Sequence, residues 1–217
     1  MANMTVRGLL DMVEVILQDA DNDNWGLTEL ITWYNLSCRD CVIYAPEANP
    51  VIEPVKLAAA VKHSIPAGGL ALINIIRNMG TDGLTPGEAI FPSTVKIVQS
   101  FDPSWNTATA AAVIQNFMPE TDRTFYSYPP GDGTGYVEME YSKVPTAVAY
   151  DANGDWESAM VGVTDKYVTA VLNSILARAF SKDTDFPGNL ERSADHERQF
   201  MQAVGAPIAA EQRAAQE

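Results

Sequence analysis

The chain has 217 residues, and its 28 acidic and 14 basic residues give a formal net charge of −14. This balance argues against a DNA-reading surface, because phosphate contacts need clustered Lys and Arg. Acidity fits a protein that stays soluble until it meets a partner, and it also fits a wall along which DNA slides without sticking. The length suffices for one large domain or two small ones, with a core that needs neither metal nor disulfide.

Metal, redox and membrane roles have little support in the sequence. The cysteines Cys38 and Cys41 form a C-x-x-C inside a helical pattern, and the two histidines, His63 and His196, lie far apart. A zinc site needs four ligands, and the acidic loop from Asp21 lacks the oxygen ligands of a calcium loop. No secretion signal or apolar span of about 20 residues occurs. We therefore expect no cofactor, no metal and no membrane contact, and synthesis in the cytosol.

The first 64 residues are predicted to form N-terminal helices of a bundle. A first amphipathic helix covers residues 4–19 with Thr5 as N-cap, and a second covers 26–45 after a loop with an Asp or Asn cap. A third is predicted over 51–63, with its proline in the first turn. The predicted buried stripe of the first helix consists of Val6, Leu9, Leu10, Val13, Ile16 and Leu17.

The pattern changes to strands over residues 65–150. Residues 70–80 are apolar and β-branched enough for a buried strand. Residues 89–98 predict a weaker strand, which Pro92 places at an edge or a bulge. The FDPSWN segment predicts a turn or one helical turn, and residues 107–118 fit either a helix or a strand.

A hairpin is predicted over residues 123–145. Apolar and polar residues alternate on both of its strands, so that one face is apolar. Tyr126, Tyr128 and Tyr136 alternate away from that face and are candidate interface anchors, because aromatic residues are favoured at interfaces. The alternative is that they cover the core of the hairpin itself or a neighbouring loop. The long connection is expected to protrude and to be mobile.

Helices return over residues 151–204. One is predicted through KYVTAVLNSILARAF with Thr164 as its cap, and a more polar one ends near Val204. Residues 205–217 are small and polar, and they predict a flexible tail, disordered alone or helical against a partner. Strands segregated from helices indicate an α+β fold, a helical bundle with an inserted antiparallel β region.

Catalytic groups do not converge in the sequence. No G-x-S-x-G, H-E-x-x-H or Rossmann fingerprint occurs. Glu138 and Glu140 share a strand face and could imitate the acid pair of a hydrolase, although two exposed glutamates are the ordinary interpretation. The sequence alone predicts no enzyme.

Several phrases in this order resemble the head-to-tail adaptor proteins of short-tailed bacteriophages. They are WGLTELITWYNLSCRDCV, IPAGGLALINIIRNMG, FDPSWN, DRTFYSYPP with VEMEYSKVP, and DKYVTAVLNSILARAFSKD. The resemblance spans about residues 5–204, and the order and spacing of the phrases carry it.

The resemblance implies a structural virion protein at the portal vertex or neck. Such adaptors form a ring, typically of twelve copies, that extends the DNA channel below the portal and meets the tail nozzle or tube, so that the genome passes without sequence-specific binding. It also implies that the C-terminal segment docks on the portal, which makes Pro207 and Ile208 candidate interface residues. Another tail-completion or tail-tube protein is the alternative, ahead of an acidic-residue hydrolase.

Overall fold

The computed structural model of the protein describes residues 3–151, 153–183 and 186–214, with side chains described as far as Gly205. Two compact units divide the chain. The residues up to Asn49 and from Val144 onward form the helical unit, and Pro50–Lys143 form the β unit. The α+β fold class is confirmed, because all seven strands lie between α-helices of the helical unit, with the short helix at Val95–Phe101 among them, and do not alternate with helices.

Five α-helices and seven strands occur in the described ranges. The helices are α1 (Val6–Leu17), α2 (Leu27–Tyr44), α3 (Val95–Phe101), α4 (Val168–Lys182) and α5 (Asn189–Ala214). The strands are β1 (Pro50–Lys56), β2 (Lys62–Ser64), β3 (Gly69–Asn78), β4 (Phe91–Pro92), β5 (Asn116–Thr121), β6 (Thr124–Tyr128) and β7 (Tyr136–Lys143). Within these ranges, no helix is both long enough and apolar enough to cross a bilayer.

Helix α1 begins where its cap predicts. The hydroxyl oxygen of Thr5 accepts a hydrogen bond from the Gly8 N–H at 3.1 Å, which satisfies one donor of the first turn. Five of the six predicted stripe residues are buried, but Ile16 is 43% exposed. The prediction for Ile16 is wrong because the buried arc turns toward Glu14, whose carboxylate pairs with Arg7 at 2.8 Å.

The loop between α1 and α2 is organised from its first residue. The carboxylate of Asp19 accepts hydrogen bonds from the backbone N–H groups of Asp23, Asn24 and Trp25. The N-cap of α2 is Gly26, with no side-chain bond. The expected Asp or Asn cap of α2 is therefore wrong: the carboxylate acts inside the loop instead of on the helix.

Helix α4 carries the most deeply buried face of the helical unit. Val171, Ile175 and Leu176 are fully inaccessible, as the predicted stripe requires. Thr164 precedes a short 3₁₀ turn and makes no capping bond, so its predicted role is wrong. Helix α5 continues beyond Val204, where it was predicted to end, and its backbone is helical to Ala214.

Two sheets enclose the core of the β unit. One has the strand order β1-β7-β3 and the other β2-β6-β5-β4, and every pairing is antiparallel except β4 with β5. Their inner faces contribute to one cluster of buried side chains. Its members are Leu57, Ile65, Ile75, Ile90, Ile114, Phe117, Phe125, Val137, Met139 and Tyr141.

The predicted third helix over 51–63 is wrong. Residues 50–56 form β1, which pairs along its whole length with β7, and residues 62–64 form β2. Val51 and Val55 pack against the core cluster from β1. Alanines 58–60 favour a helix locally, but the ladder with a strand 80 to 92 positions away decides the conformation. The β region consequently begins at Pro50 and not at residue 65.

The predicted hairpin over 123–145 is also wrong. Strand β6 pairs with β2 and β5, whereas β7 pairs with β1 and β3, so the two strands lie in different sheets. The connecting segment is packed and not protruding: a Cβ on Gly135 would lie 1.9 Å from the Ala112 carbonyl oxygen. Alternation predicted the buried face of each strand correctly, because both strands face the same core, but it carries no information on the partner strand.

The strand predicted over 89–98 is replaced by a short strand and a helix, and the helix contributes to a second, smaller hydrophobic cluster. Only Phe91–Pro92 is extended, at the edge position that Pro92 indicates. Thr94 then caps α3 by accepting from the Ile97 N–H at 3.4 Å. This cluster is centred on Val98, Trp105 and Met118. Trp105 belongs to the FDPSWN segment, whose predicted helical turn is confirmed.

The outer edge of β1 is protected against further strand pairing. Leu57 N–H donates to the Gly135 carbonyl, and backbone N–H groups alternate in direction along a strand. The N–H groups of the odd-numbered residues of β1 therefore point toward β7. At residues 50, 52, 54 and 56 the backbone hydrogen-bonding groups point away from β7, toward the open edge. Residues 50 and 54 are prolines, which have no N–H. Prolines on an edge strand prevent edge-to-edge association.

Candidate assembly interface

A surface groove lies in the helical unit, over α4 and between α2 and α5. Its volume is about 850 Å³. Leu36, Ile43 and Tyr44 line its α2 wall and are 43%, 54% and 52% exposed, and Met201 lines its α5 wall at 47%. The ring of Tyr44 meets buried Phe200 edge-on at 5.8 Å. We call this concavity the bundle groove.

Four of the five charged residues that line the bundle groove form two ion pairs, and the fifth is the exposed Glu197. Lys182 on α4 lies 2.6 Å from Glu29, and Arg178 lies 2.6 Å from Asp40. The Lys182 ammonium also lies 5.9 Å from the ring centroid of Trp33. These bonds join α4 to α2 across the floor of the groove, and they leave its two cations neutralised.

A second apolar surface lies on α1. Met12 lies one helical turn before Val15 and Ile16, and the three side chains are 43%, 75% and 43% exposed. We call this convex surface the α1 ridge. It lies opposite the buried face of α1 and contributes no side chain to the lining of the bundle groove as far as that lining is described. Contiguous exposed apolar side chains mark protein–protein contact sites.

Two of the predicted interface tyrosines lie together in the β unit. Tyr126 and Tyr128 both pack on the smaller cluster, against Trp105 at 5.5 Å and against Phe101 at 5.4 Å between ring centroids. Their hydroxyls donate to Glu120 at 2.6 Å and to Asp102 at 3.2 Å. These contacts within the chain match the alternative stated for them, that the rings cover a neighbouring segment.

Electrostatics reinforce the contact at Tyr126. Hydrogen bonds from Lys62 and from Tyr126 lower the pKa of Glu120 to about 2. The same carboxylate raises the pKa of the Tyr126 hydroxyl. Lys62 also lies over the Tyr126 ring at 5.7 Å. The three side chains form one exposed polar cluster on the sheet that contains β2, β5 and β6.

Tyr136 lies apart from the other two tyrosines. It begins β7 in the opposite sheet, where its ring is 5.8 Å from the Lys56 ammonium. Gly83 approaches the same ring so closely that an added Cβ would lie 3.1 Å from it. The structure therefore does not bring the three tyrosines into one surface, and an interface role for each remains a prediction.

The remaining predicted interface residues, Pro207 and Ile208, lie outside the residues whose side chains are described. The backbone there is part of α5. Val204, at 2% exposure, is the last described residue of α5 that is buried. The docking role of this segment remains a prediction.

A serine and a histidine meet in the β unit, but not in a catalytic arrangement. His63 Nε2 lies 3.0 Å from Ser127 Oγ, and Ser127 is wholly inaccessible. Burial lowers the pKa of His63. A nucleophile needs access to substrate and a base oriented by a third group. His63 Nδ1 has no side-chain acceptor among the described residues, so the pair supports the core of the unit.

One member of the predicted acid pair, Glu138, forms a salt bridge within the β unit. Glu138 accepts a hydrogen bond from Arg77 Nε at 2.7 Å across the β3–β7 ladder. Glu140 lies on the same face of β7, two residues on. Histidine, cysteine and carboxylate side chains form no cluster of three with metal-binding geometry anywhere in the described ranges.

Sequence reasoning missed the bundle groove and the α1 ridge. Leu36 and Ile43 are seven residues apart on the side of α2 that faces away from its buried stripe. Met12 and Val15 likewise fall outside the predicted stripe of α1. Apolar residues at helical spacing on the polar side of an amphipathic helix were the available signal.

These observations define an α+β protein whose distinctive surfaces are apolar helix faces suited to contact with other proteins. The family model of the SU10 adaptor protein matches residues 4–217. The chain therefore belongs to the SU10 adaptor protein family, and it is a structural adaptor protein of a bacteriophage. No curated protein matches the chain.

Proposed function

We propose that this adaptor forms a homo-oligomeric ring of about twelve copies that joins the portal to the tail nozzle or tube and extends the DNA channel. The observation that carries the proposal is the family match, which spans residues 4–217 and so includes both units. The site of action is then the portal vertex or neck of the virion, and the genome passes through the ring during ejection.

The exposed apolar helix faces support assembly. A ring needs two different, complementary surfaces on each copy. The helical unit offers a concave surface, the bundle groove, and a convex one, the α1 ridge. Both expose side chains that a solitary protein would gain free energy by burying, about 25 cal/mol per Å².

The charge of the chain supports passage of DNA without capture. A net charge of −14 repels a polyanion at short range, and a protein without a basic stripe makes few phosphate contacts. We expect no retention of duplex DNA by the purified protein in a gel-shift measurement at physiological salt. Binding with an affinity in the micromolar range or tighter would contradict a passive channel wall.

We propose that the adaptor acts without catalysis. The support is that the candidate groups are used within the fold: His63 bonds buried Ser127, and Glu138 pairs with Arg77. Replacing Glu138 and Glu140 with Gln is expected to leave assembly unchanged. A hydrolytic turnover that disappears in this double variant would favour the hydrolase instead.

Electron microscopy of the purified protein mixed with its portal tests the proposal directly. We expect rings, or added density on the tail side of the portal. A protein that stays monomeric and ignores the portal would overturn the proposal. Binding only to a tail assembly would favour the alternative, a tail-completion or tail-tube protein.

The C-terminal segment is proposed to dock on the portal. Val204 is the last buried residue of α5 among those described, and the segment that follows includes Pro207 and Ile208. Deleting residues 206–217 is expected to leave the thermal unfolding midpoint of the folded units nearly unchanged and to weaken portal binding. A Gly/Ser replacement of equal length is the matched control, since it keeps chain length and removes the side chains. Unchanged portal affinity in both variants would reject the docking role.

A further inference from the structure

We propose that the α1 ridge of one copy inserts into the bundle groove of the next copy, so that these two surfaces form the head-to-tail contact between adjacent subunits. This inference rests on the proposed ring and specifies which surfaces build it. Met12, Val15 and Ile16 would contact Leu36, Ile43 and Tyr44 of the neighbouring subunit.

Shape and length favour this pairing. The ridge is convex because its side chains project from a single helix, and the groove is concave because α2 and α5 rise on either side of α4. Helix α1, which carries the ridge, has 12 residues and is about 18 Å long. The lining of the groove runs along α2 from Glu29 to Tyr44, about 22 Å. Two ridges, or two grooves, have the wrong shapes to pack closely against each other, whereas a ridge and a groove are complementary.

The charges of the two surfaces match in the same way. The cations of the groove, Arg178 and Lys182, each lie 2.6 Å from a carboxylate within the subunit. The ridge itself carries no ionisable side chain, and the adjacent Arg7 and Asp11 pair with one another at 2.6 Å. Because both cations of the groove are already paired, an uncharged apolar partner can cover them without leaving a buried charge unpaired, and exposed Glu197 can stay in contact with water.

A contact between two different surfaces has a defined consequence for assembly. Each subunit uses its ridge toward one neighbour and its groove toward the other, and the contact closes into a ring if the rotation allows. A two-fold dimer would instead bury the same surface on both copies. This difference can be tested with variants that lose one surface and keep the other.

Val15→Asp removes the ridge, and Ile43→Asp removes the groove. Each is expected to weaken self-association at least tenfold, measured by sedimentation velocity of the full chain, because a carboxylate would be buried in the contact. The matched controls are Leu84→Asp for Val15, at 78% against 75% exposure, and Ile97→Asp for Ile43, at 56% against 54%. Both controls lie in the β unit and are expected to assemble as the unchanged protein does.

Mixing the two variants tests the head-to-tail arrangement. The Val15→Asp chain keeps its groove and the Ile43→Asp chain keeps its ridge, so the mixture is expected to form a 1:1 dimer that cannot grow. A Val15→Cys chain mixed with an Ile43→Cys chain should likewise give a disulfide-linked dimer on oxidation. The native Cys38 and Cys41 are 2% and 0% exposed, so their contribution to crosslinking should be small.

Salt dependence separates a second copy from a foreign partner in the groove. Because each copy carries −14, self-association should tighten as salt rises from about 50 to 500 mM and screens the repulsion. A basic helix of another virion protein would bind more weakly over the same range. If Ile43→Asp abolishes such binding and leaves rings intact, the groove belongs to that partner and this inference is overturned.

The outcomes also distinguish this inference from the proposed function. If the unchanged protein assembles only on the portal, the variants are compared there. Normal rings from both Asp variants would overturn the ridge-and-groove contact and leave the ring proposal standing. A protein that stays monomeric with and without the portal would overturn both.

Discussion

The two units differ most in their charge. The helical unit contains 19 acidic and 8 basic residues, a net charge of −11, whereas the β unit contains 9 and 6, a net charge of −3. The helical unit also leaves apolar faces exposed on α1 and α2. The β unit encloses one core between two sheets and protects the edge at β1 with prolines. The β unit also exposes Leu84, Phe91 and Ile97, so the two units differ chiefly in charge, and the proposed assembly contact lies in the more acidic one.

The largest effect is expected from Phe125→Ala in the core of the β unit. Phe125 is fully buried between His63 and Phe117, and removing a buried aromatic ring lowers the free energy of unfolding by about 3–5 kcal/mol. Hydrogen exchange measured by mass spectrometry should show faster opening in peptides of the β unit. The control is Phe91→Ala, at a residue that is 63% exposed. This substitution should change the free energy of unfolding by less than about 0.5 kcal/mol. Equal acceleration in both units would mean that they unfold together.

Asn78→Ala is expected to have the next largest effect. The buried Asn78 amide donates to the carbonyls of Glu88 and Ile114 and accepts from the Ile114 N–H at 3.0 Å. Its loss leaves buried backbone groups without partners, which should lower the free energy of unfolding by about 2–3 kcal/mol in urea titration. Asn116→Ala is the control, since the bond from the Asn116 amide to the Phe91 carbonyl is exposed and 3.4 Å long. A loss at Asn78 no larger than at Asn116 would contradict the bonded role.

The pH dependence of stability should separate the two histidines. Burial lowers the pKa of His63 below 6.5, so the folded state binds fewer protons than the unfolded state. The stabilising contribution is present above pH 6.5 and is lost as the pH falls through the lower pKa of the folded state. The urea midpoint should therefore decrease between pH 7 and pH 5, and less so in His63→Gln.

His196 provides the comparison in the helical unit. Its pKa is also lowered by burial, but Asp195 opposes that shift. His196→Gln should therefore flatten the pH profile less than His63→Gln does. Hydrogen bonding lowers the pKa of Asp82 and of Glu120 to about 2. These two carboxylates therefore stay ionised between pH 7 and pH 5 and do not contribute to the change that the histidines cause. A larger change on replacing His196 would contradict the view that burial dominates at His63.

The smallest effects are expected at the helix caps. Thr5→Ala should lower the free energy of unfolding by about 1 kcal/mol, because Thr5 Oγ1 accepts from Gly8 N–H at 3.1 Å. Thr94→Ala should have a smaller effect, since the corresponding bond on α3 is 3.4 Å long and exposed. Thermal unfolding of the two variants measures the difference. A larger loss at Thr94 would contradict the ranking.

Local patterns in the sequence were sufficient for the helices and for the buried faces of several strands. Thr5 and the leucine spacing of α1 predict that helix, because a helix is built from contacts three and four residues apart. The alternation of Val137, Met139 and Tyr141 predicts which face of β7 is buried. The resemblance of the ordered phrases to phage adaptors predicted the family that the match over 4–217 shows.

Strand partners and exposed apolar faces were decided only by tertiary structure. Residues 51–63 favour a helix locally and become strands because β7 pairs with β1 and β6 pairs with β2, far along the chain. The same alternation fits a hairpin and two strands in separate sheets, since it reports a face and not a partner. Likewise, the apolar character of Val15 and Ile43 is written in the sequence, but their exposure depends on which faces of α1 and α2 the neighbouring helices cover.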